Sequence, residues 1–142
     1  MSTIKLSQLE LEVIGYERIQ ANDYYDANWL MVSVTADTNG INTKFARSCL
    51  LTSDLVEFND QLINLNSGRK DSATLESFEP NIELSITKVD SLGHLKMIVK
   101  LIPTDENFHQ FSLQIDQSYL PLIIADIKDA LLRYPVRLES VQ

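Results

Sequence analysis

The alternation that runs from Trp29 to Ala36 constrains this chain more than any other feature. Leu30, Val32, Val34 and Ala36 fall on one side, and Trp29, Met31, Ser33 and Thr35 on the other. This is the two-residue period of a strand with one strongly apolar face. Just before it, Asn22-Asp23-Tyr24-Tyr25-Asp26-Ala27-Asn28 leads into Trp29, the only tryptophan of the chain. Just after it, Asn39-Gly40 is the pair that best tolerates the positive φ angles of a tight hairpin. A two-residue turn there brings back a strand from Asn42 to Leu51. It sets Val34 opposite Phe45 and Leu30 opposite Cys49. It also sets Arg47 against Val32 on the apolar face, a mismatch with no explanation in the sequence.

The remaining elements follow from the same periodicities. Leu9, Leu11 and Val13 alternate with Glu10 and Glu12 in a first strand, ended by Gly15 and a polar run from Tyr16 to Asp26 in which Tyr16 and Ile19 can still pack. Leu55, Phe58, Leu62 and Leu65 stand at helical spacing behind three candidate caps, Thr52, Ser53 and Asp54, and Gly68 suits the helix end. Leu75 and Phe78 suggest a short, irregular strand, and Pro80 marks an edge or a bend. Ile82, Leu84 and Ile86 alternate, then Leu95, Met97, Val99 and Leu101, then Phe111, Leu113 and Ile115. Turns at Asp90–Gly93 and Pro103–Asn107 join them into a meander. Leu120, Ile123, Ile124, Ile127, Leu131 and Tyr134 predict a helix over 118–135, capped by Asp116 or Ser118, tolerant of Pro121 and stopped by Pro135. The sum is an α+β fold, one domain over residues 1–142. Its mostly antiparallel sheet has six to seven strands in the order βββα-ββββ-α, with two amphipathic helices packed on it.

A chain of 142 residues with 44% hydrophobic content can bury a core without disulfides or metal. The lone Cys49, in the apolar run Cys49-Leu50-Leu51, reads as a small buried hydrophobe and suits a reducing cytoplasm. The first residues lack the basic-then-apolar pattern of a signal peptide, and no apolar run is long enough for a membrane span. Twelve basic against twenty acidic residues leave a net charge of −8. So acidic a surface repels phosphate backbones and argues against nucleic acid. His94 and His109 stand at no metal-ligand spacing from each other or from Cys49, and none of the glycines forms a phosphate-cradling loop. Asp23 and Asp26 are the nearest approach to an acid–base pair, but no second element of a site points at them. The expectation is binding rather than catalysis, with no cofactor and no metal.

Three blocks carry a resemblance. They are Leu9-Glu10-Leu11-Glu12-Val13-Ile14-Gly15-Tyr16, then Asp23-Tyr24-Tyr25-Asp26-Ala27-Asn28-Trp29-Leu30, then Ser77-Phe78-Glu79-Pro80-Asn81-Ile82. With the closing amphipathic helix that ends in Arg133-Tyr134-Pro135, they resemble the WapI-type immunity proteins. These protect bacteria from the toxic C-terminal domains of wall-associated WapA-type toxins. The resemblance implies a cytoplasmic antitoxin that occupies and neutralises a cognate toxin domain, a nuclease with a basic cleft to which an acidic inhibitor is steered. It singles out Asp23, Tyr24, Tyr25, Asp26, Asn28, Trp29, Glu79, Pro80 and Asn81. These are expected first as structural residues. Trp29 and Tyr16 would pack in the core or at its rim. Asp23, Asp26 and Asn28 would bond the backbone of the turn that presents Trp29, and Glu79 and Asn81 would bend the chain around Pro80. Toxin contacts are then expected among the scattered surface carboxylates. The other reading is an orphan structural or interaction module of the same fold with no toxin partner, dimerising through an exposed sheet edge. Both monomer and homodimer are compatible with the sequence.

Overall fold

A computed structural model describes residues 1–138. Its strands are β1 (Ser2–Leu6), β2 (Leu9–Tyr16), β3 (Trp29–Thr38), β4 (Ile41–Leu51), β5 (Ser72–Leu75), β6 (Ile82–Lys88), β7 (His94–Thr104) and β8 (Asn107–Asp116). Its helices are α1 (Tyr24–Asn28), α2 (Thr52–Asn66) and α3 (Leu120–Arg133), the last preceded by a 3-10 turn, Gln117–Tyr119. The strands form two four-stranded antiparallel sheets, β1-β2-β3-β4 and β5-β6-β7-β8, each in sequence order.

The α+β class and the antiparallel pairing stand, but there are two sheets rather than one, eight strands rather than six to seven, and three helices rather than two, the short α1 lying in the polar run that carries no helical periodicity. The strand missing from the sequence reading is β1. Its alternation, Ser2, Ile4 and Leu6, is short, and Leu6 pairs with Leu9 around Ser7, whose φ is +63°. Serine in that left-handed region carries none of the Asn-Gly signature of a tight hairpin. The chain splits into two sheets at α2. Instead of a fifth strand joining β4, the helix lies over the edge of β5, where Gln61 Oε1 accepts the Thr74 N–H at 2.8 Å. On the other sheet α3 covers the edge of β1, and Asp126 Oδ2 accepts the Lys5 N–H at 3.1 Å. Each helix therefore satisfies backbone groups that an open edge would leave to another chain. One contiguous apolar cluster joins the inward residues of both sheets to the buried stripes of α2 and α3.

The hairpin at Asn39-Gly40 is the two-residue turn expected, with Thr38 opposite Ile41 and Val34 opposite Phe45. Beyond Met31 a bulge shifts the register, so Leu30 lies opposite Leu50 rather than Cys49. The Arg47 mismatch resolves by escape from the core. Its side chain is exposed, and the guanidinium donates to the carbonyls of Ala46 (2.9 Å) and Pro103 (3.1 Å), the latter in the other sheet. Gly15 does not end β2, which runs on through a second irregularity to Tyr16. Ile19 is 91% exposed, so it does not pack as expected. Phe78 lies outside β5 and is 76% exposed, because the alternation stops at Leu75 and the chain turns through Pro80 into β6. The closing helix is α3, shorter at both ends than 118–135. Asp116 caps the preceding 3-10 turn by accepting the Ser118 N–H at 2.9 Å.

Candidate functional site

The block from Asp23 to Trp29 is not a simple turn. Asp23 caps α1, its Oδ1 accepting the backbone N–H groups of Tyr25 (2.9 Å) and Asp26 (3.2 Å). A helix of five residues has no stability of its own. Asn28 ties it down. Its side chain is fully buried, and Nδ2 donates to the carbonyls of Tyr24 and Arg137, both at 2.7 Å. Oδ1 accepts the Thr52 hydroxyl at 2.7 Å and the Arg137 N–H at 2.8 Å. All four hydrogen-bonding positions of the amide are thus filled. They join α1, the start of α2 and the segment after α3.

Arg137 completes this clasp from the other side. Its guanidinium donates to the carbonyls of Arg18 and Ile19 (2.7 Å each) and, through Nε, to Ala27 (2.8 Å). Its carbon Cζ sits 3.7 Å from the centre of the Tyr16 ring. Tyr16 in turn donates its hydroxyl to the Pro135 carbonyl and meets Tyr134 edge-on at 5.7 Å. Burial raises the Tyr16 phenol above its ordinary pKa, with the Arg137 charge opposing. The polar loop between β2 and α1 is thereby fastened to the chain's last described segment. Nothing in the sequence marks Arg137 for this role, since a single arginine after a helix-stopping proline has no pattern.

Of the residues expected to be structural, Asp23 and Asn28 bond local backbone as anticipated, whereas Asp26 accepts no hydrogen bond among the described residues. Trp29 is half-buried and is not part of the buried core cluster, so of the two places expected for it, core or rim, it does not take the first. β3 turns Leu30, not Trp29, into the core, so Trp29 is left on the opposite face. Asn81, just before β6, exchanges bonds with Ile102, its Nδ2 and carbonyl each engaged at 2.9 Å. Glu79 and Pro80 are exposed in the turn before it.

The structure brings the two blocks together through aromatic rings. Tyr24 meets Tyr25 edge-on at 5.4 Å, and Tyr25 meets Phe78 at 5.9 Å. Tyr25 is 51% and Phe78 76% exposed, so this is a surface patch and not core. Carboxylates surround it. Asp23 and Asp26 flank Tyr25 in sequence, Glu76 and Glu79 flank Phe78, and Glu76 shares a cleft with Asp54 and Glu57 at the start of α2. None of these six is ion-paired among the described residues. Asp54 is raised above the usual carboxylate range, chiefly by burial and further by Glu57, against the Leu51 N–H that it accepts at 2.8 Å. The cleft, at about 60 Å³, is far too small for a metabolite.

A larger depression lies elsewhere, about 650 Å³ at the His94 end of β7 and β8. There His94 Nδ1 and Asp90 Oδ2 pair at 2.7 Å, both in solvent contact. The pair shapes the turn, with Asp90 also accepting the Leu92 N–H at 2.8 Å. No cluster of three metal-ligating side chains occurs among the described residues. Cys49 is fully buried, and burial pushes its thiol up to about 12, so it is no nucleophile at neutral pH.

Comparison with known proteins decides the family. The immunity protein WapI-like family matches residues 2–135. The chain belongs to this family. The match stops two residues short of Arg137, so half of the clasp lies just past the matched stretch. No curated protein matches the chain. Among solved structures it is similar to a chain of the "CdiA-CT/CdiI toxin and immunity complex from Enterobacter cloacae". That likeness is at 10% identity and a TM-score of 0.47, over 84% of this chain and 97% of that one. Among the described residues no helix is long and apolar enough to cross a membrane.

Proposed function

We propose that this immunity protein is a cytoplasmic antitoxin, residues 1–142 acting as one domain, that neutralises a toxin domain by covering a basic, nucleic-acid-binding surface on it. The toxin is read as a nuclease, and inhibition as occlusion without catalysis. The observation that carries this reading is the set of six carboxylates around α1 and the start of α2, none of them ion-paired among the described residues, on a chain of net charge −8. Membership of an immunity family supplies the role, and the charge supplies the kind of surface it fits. Nucleases that bind a polyanion present cationic clefts, and a protein with an unneutralised acidic face competes for them directly.

Co-expression with a candidate toxin domain, sought first among the genes beside this one, tests the reading. Growth is expected to be restored, and the purified pair is expected to run as a one-to-one complex with no residual nuclease activity. Cells that still die, with no complex formed, would sink it.

A further inference from the structure

We infer that the exposed aromatic pair Tyr25 and Phe78, with the carboxylates beside it, is the face that docks on the cationic surface of the toxin domain. The inference rests on the toxin-binding reading above and adds the place of contact.

Three observations lead there. Exposed aromatic residues are the usual anchors of protein interfaces, and these two touch one another across separate segments, forming a continuous apolar spot. The other exposed aromatic rings, Phe108 and Tyr119, pair with no second ring among the described residues. The surroundings are also predominantly negative, since the Arg137 guanidinium beside α1 is engaged by the carbonyls of Arg18, Ile19 and Ala27. Segments 19–43, 48–68 and 71–87 contain no lysine or arginine at all, and the patch is built from these three. Tyr25 comes from the first and Phe78 from the third, while Asn28 bonded to Thr52 ties the first to the second. Finally, the patch is preorganised. The Asn28–Arg137 clasp fixes α1, so Tyr25 is presented without the ordering cost that a loose loop would bring to binding. An apolar centre inside an acidic rim fits a partner that offers a hydrophobic pocket edged by lysine and arginine. A neutral partner or a nucleic acid would leave the carboxylates unmatched. This differs from the expectation that contacts lie among scattered carboxylates, in which Phe78 belongs to a short, irregular strand.

The test uses the full chain and the toxin domain that it neutralises in co-expression. Tyr25→Ala and Phe78→Ala are each expected to weaken the Kd by at least about tenfold, with the urea midpoint unchanged because both side chains are exposed. Glu76→Gln/Glu79→Gln is expected to slow association about fivefold at low salt, an effect that fades at high salt. The control is Glu10→Gln/Asp37→Asn, equal in charge. It lies toward the far end of the first sheet, with Asp37 roughly 26 Å from Trp29 along β3 at ~3.3 Å per residue, and should change association by less than about twofold. Hydrogen exchange in the complex should show new protection over 24–28 and 76–81. Tight binding by the wild type with undiminished binding by both aromatic variants would overturn the placement and leave the immunity role intact. Protection confined to 107–116 would overturn it too, in favour of strand addition at the β8 edge. Failure of the wild type to bind would instead overturn the reading beneath it.

Discussion

The side-chain oxygen of Asn28 accepts the backbone N–H of Arg137 at 2.8 Å across 109 residues of sequence. The same amide returns a bond to the Arg137 carbonyl, so the two residues hold each other as a matched pair, like neighbours in a ladder. Truncating Asn28 would strand the buried Thr52 hydroxyl and leave the part-buried Arg137 backbone groups without these partners. Asn28→Ala is therefore expected to cost about 3 kcal/mol, several unmet groups at ~1–3 kcal/mol each with partial relaxation. Urea unfolding checks it through a lower midpoint at an unchanged slope. A midpoint within error of the wild type would show that the clasp does not hold the fold.

Arg137→Lys separates charge from shape. Lysine keeps the cation but cannot span the carbonyls of Arg18, Ile19 and Ala27 with one fork. The expected result is faster amide exchange over 17–28, with β7 and β8 unchanged. Equal exchange in both proteins would mean that the cation alone suffices.

Trp29 offers a contrast with its neighbour. It is half-buried while Leu30 is fully buried. Trp29→Ala is thus expected to cost about 1–2 kcal/mol, below the ~3–5 kcal/mol typical of aromatic truncation in a core, whereas Leu30→Ala should cost about 2–5 kcal/mol. Unfolding of both variants by urea gives the order, and a costlier Trp29→Ala would place that ring in the core after all.

That Leu30 and not Trp29 faces inward was legible in the alternation, which set the two on opposite sides. Strand faces, the Asn39-Gly40 turn and the two long helices were readable because each rests on local periodicity or on a local φ requirement. β1 was not, since a turn at Ser7 carries no signature. The division into two sheets depends on which edges α2 and α3 cover, through single bonds such as Gln61 to Thr74. Of the candidate site, the capping role of Asp23 was local and visible. The meeting of Tyr25 with Phe78 and the reach of Arg137 are tertiary facts, set by how the loops return, and no spacing within one segment encodes them.

The turn from β6 to β7 carries a pH signature. Asp90 raises the pKa of His94, first by the hydrogen bond between them and then by its charge, and His94 lowers that of Asp90. A histidine raised on folding contributes stability that is complete below its ordinary value and lost as pH rises through the folded one. A carboxylate lowered on folding contributes stability present above its ordinary value and lost as pH falls through the folded one. The pair therefore works best between roughly pH 4 and 6.5. NMR titration of the His94 ring should give a midpoint above 6.5, and Asp90→Asn should bring it down. An unmoved midpoint would show the pairing to be absent in solution.

Salt provides the last and broadest test of the acidic face. If scattered carboxylates steer this protein to a cationic toxin surface, association must slow as the screening length falls from about 10 Å at 0.1 M salt to about 3 Å at 1 M. Dissociation should respond much less, because rings such as Tyr25 and Phe78, once covered, are held by apolar burial that salt does not weaken. Stopped-flow mixing with the toxin domain across that range separates the two rates. The expected outcome is an association rate that drops at least about tenfold while dissociation changes by less than about threefold. An association rate indifferent to salt would remove electrostatic steering from the mechanism and leave the apolar patch to account for recognition. A dissociation rate that climbs in step with salt would point the other way, to an interface held by the carboxylates with the aromatic pair left in water.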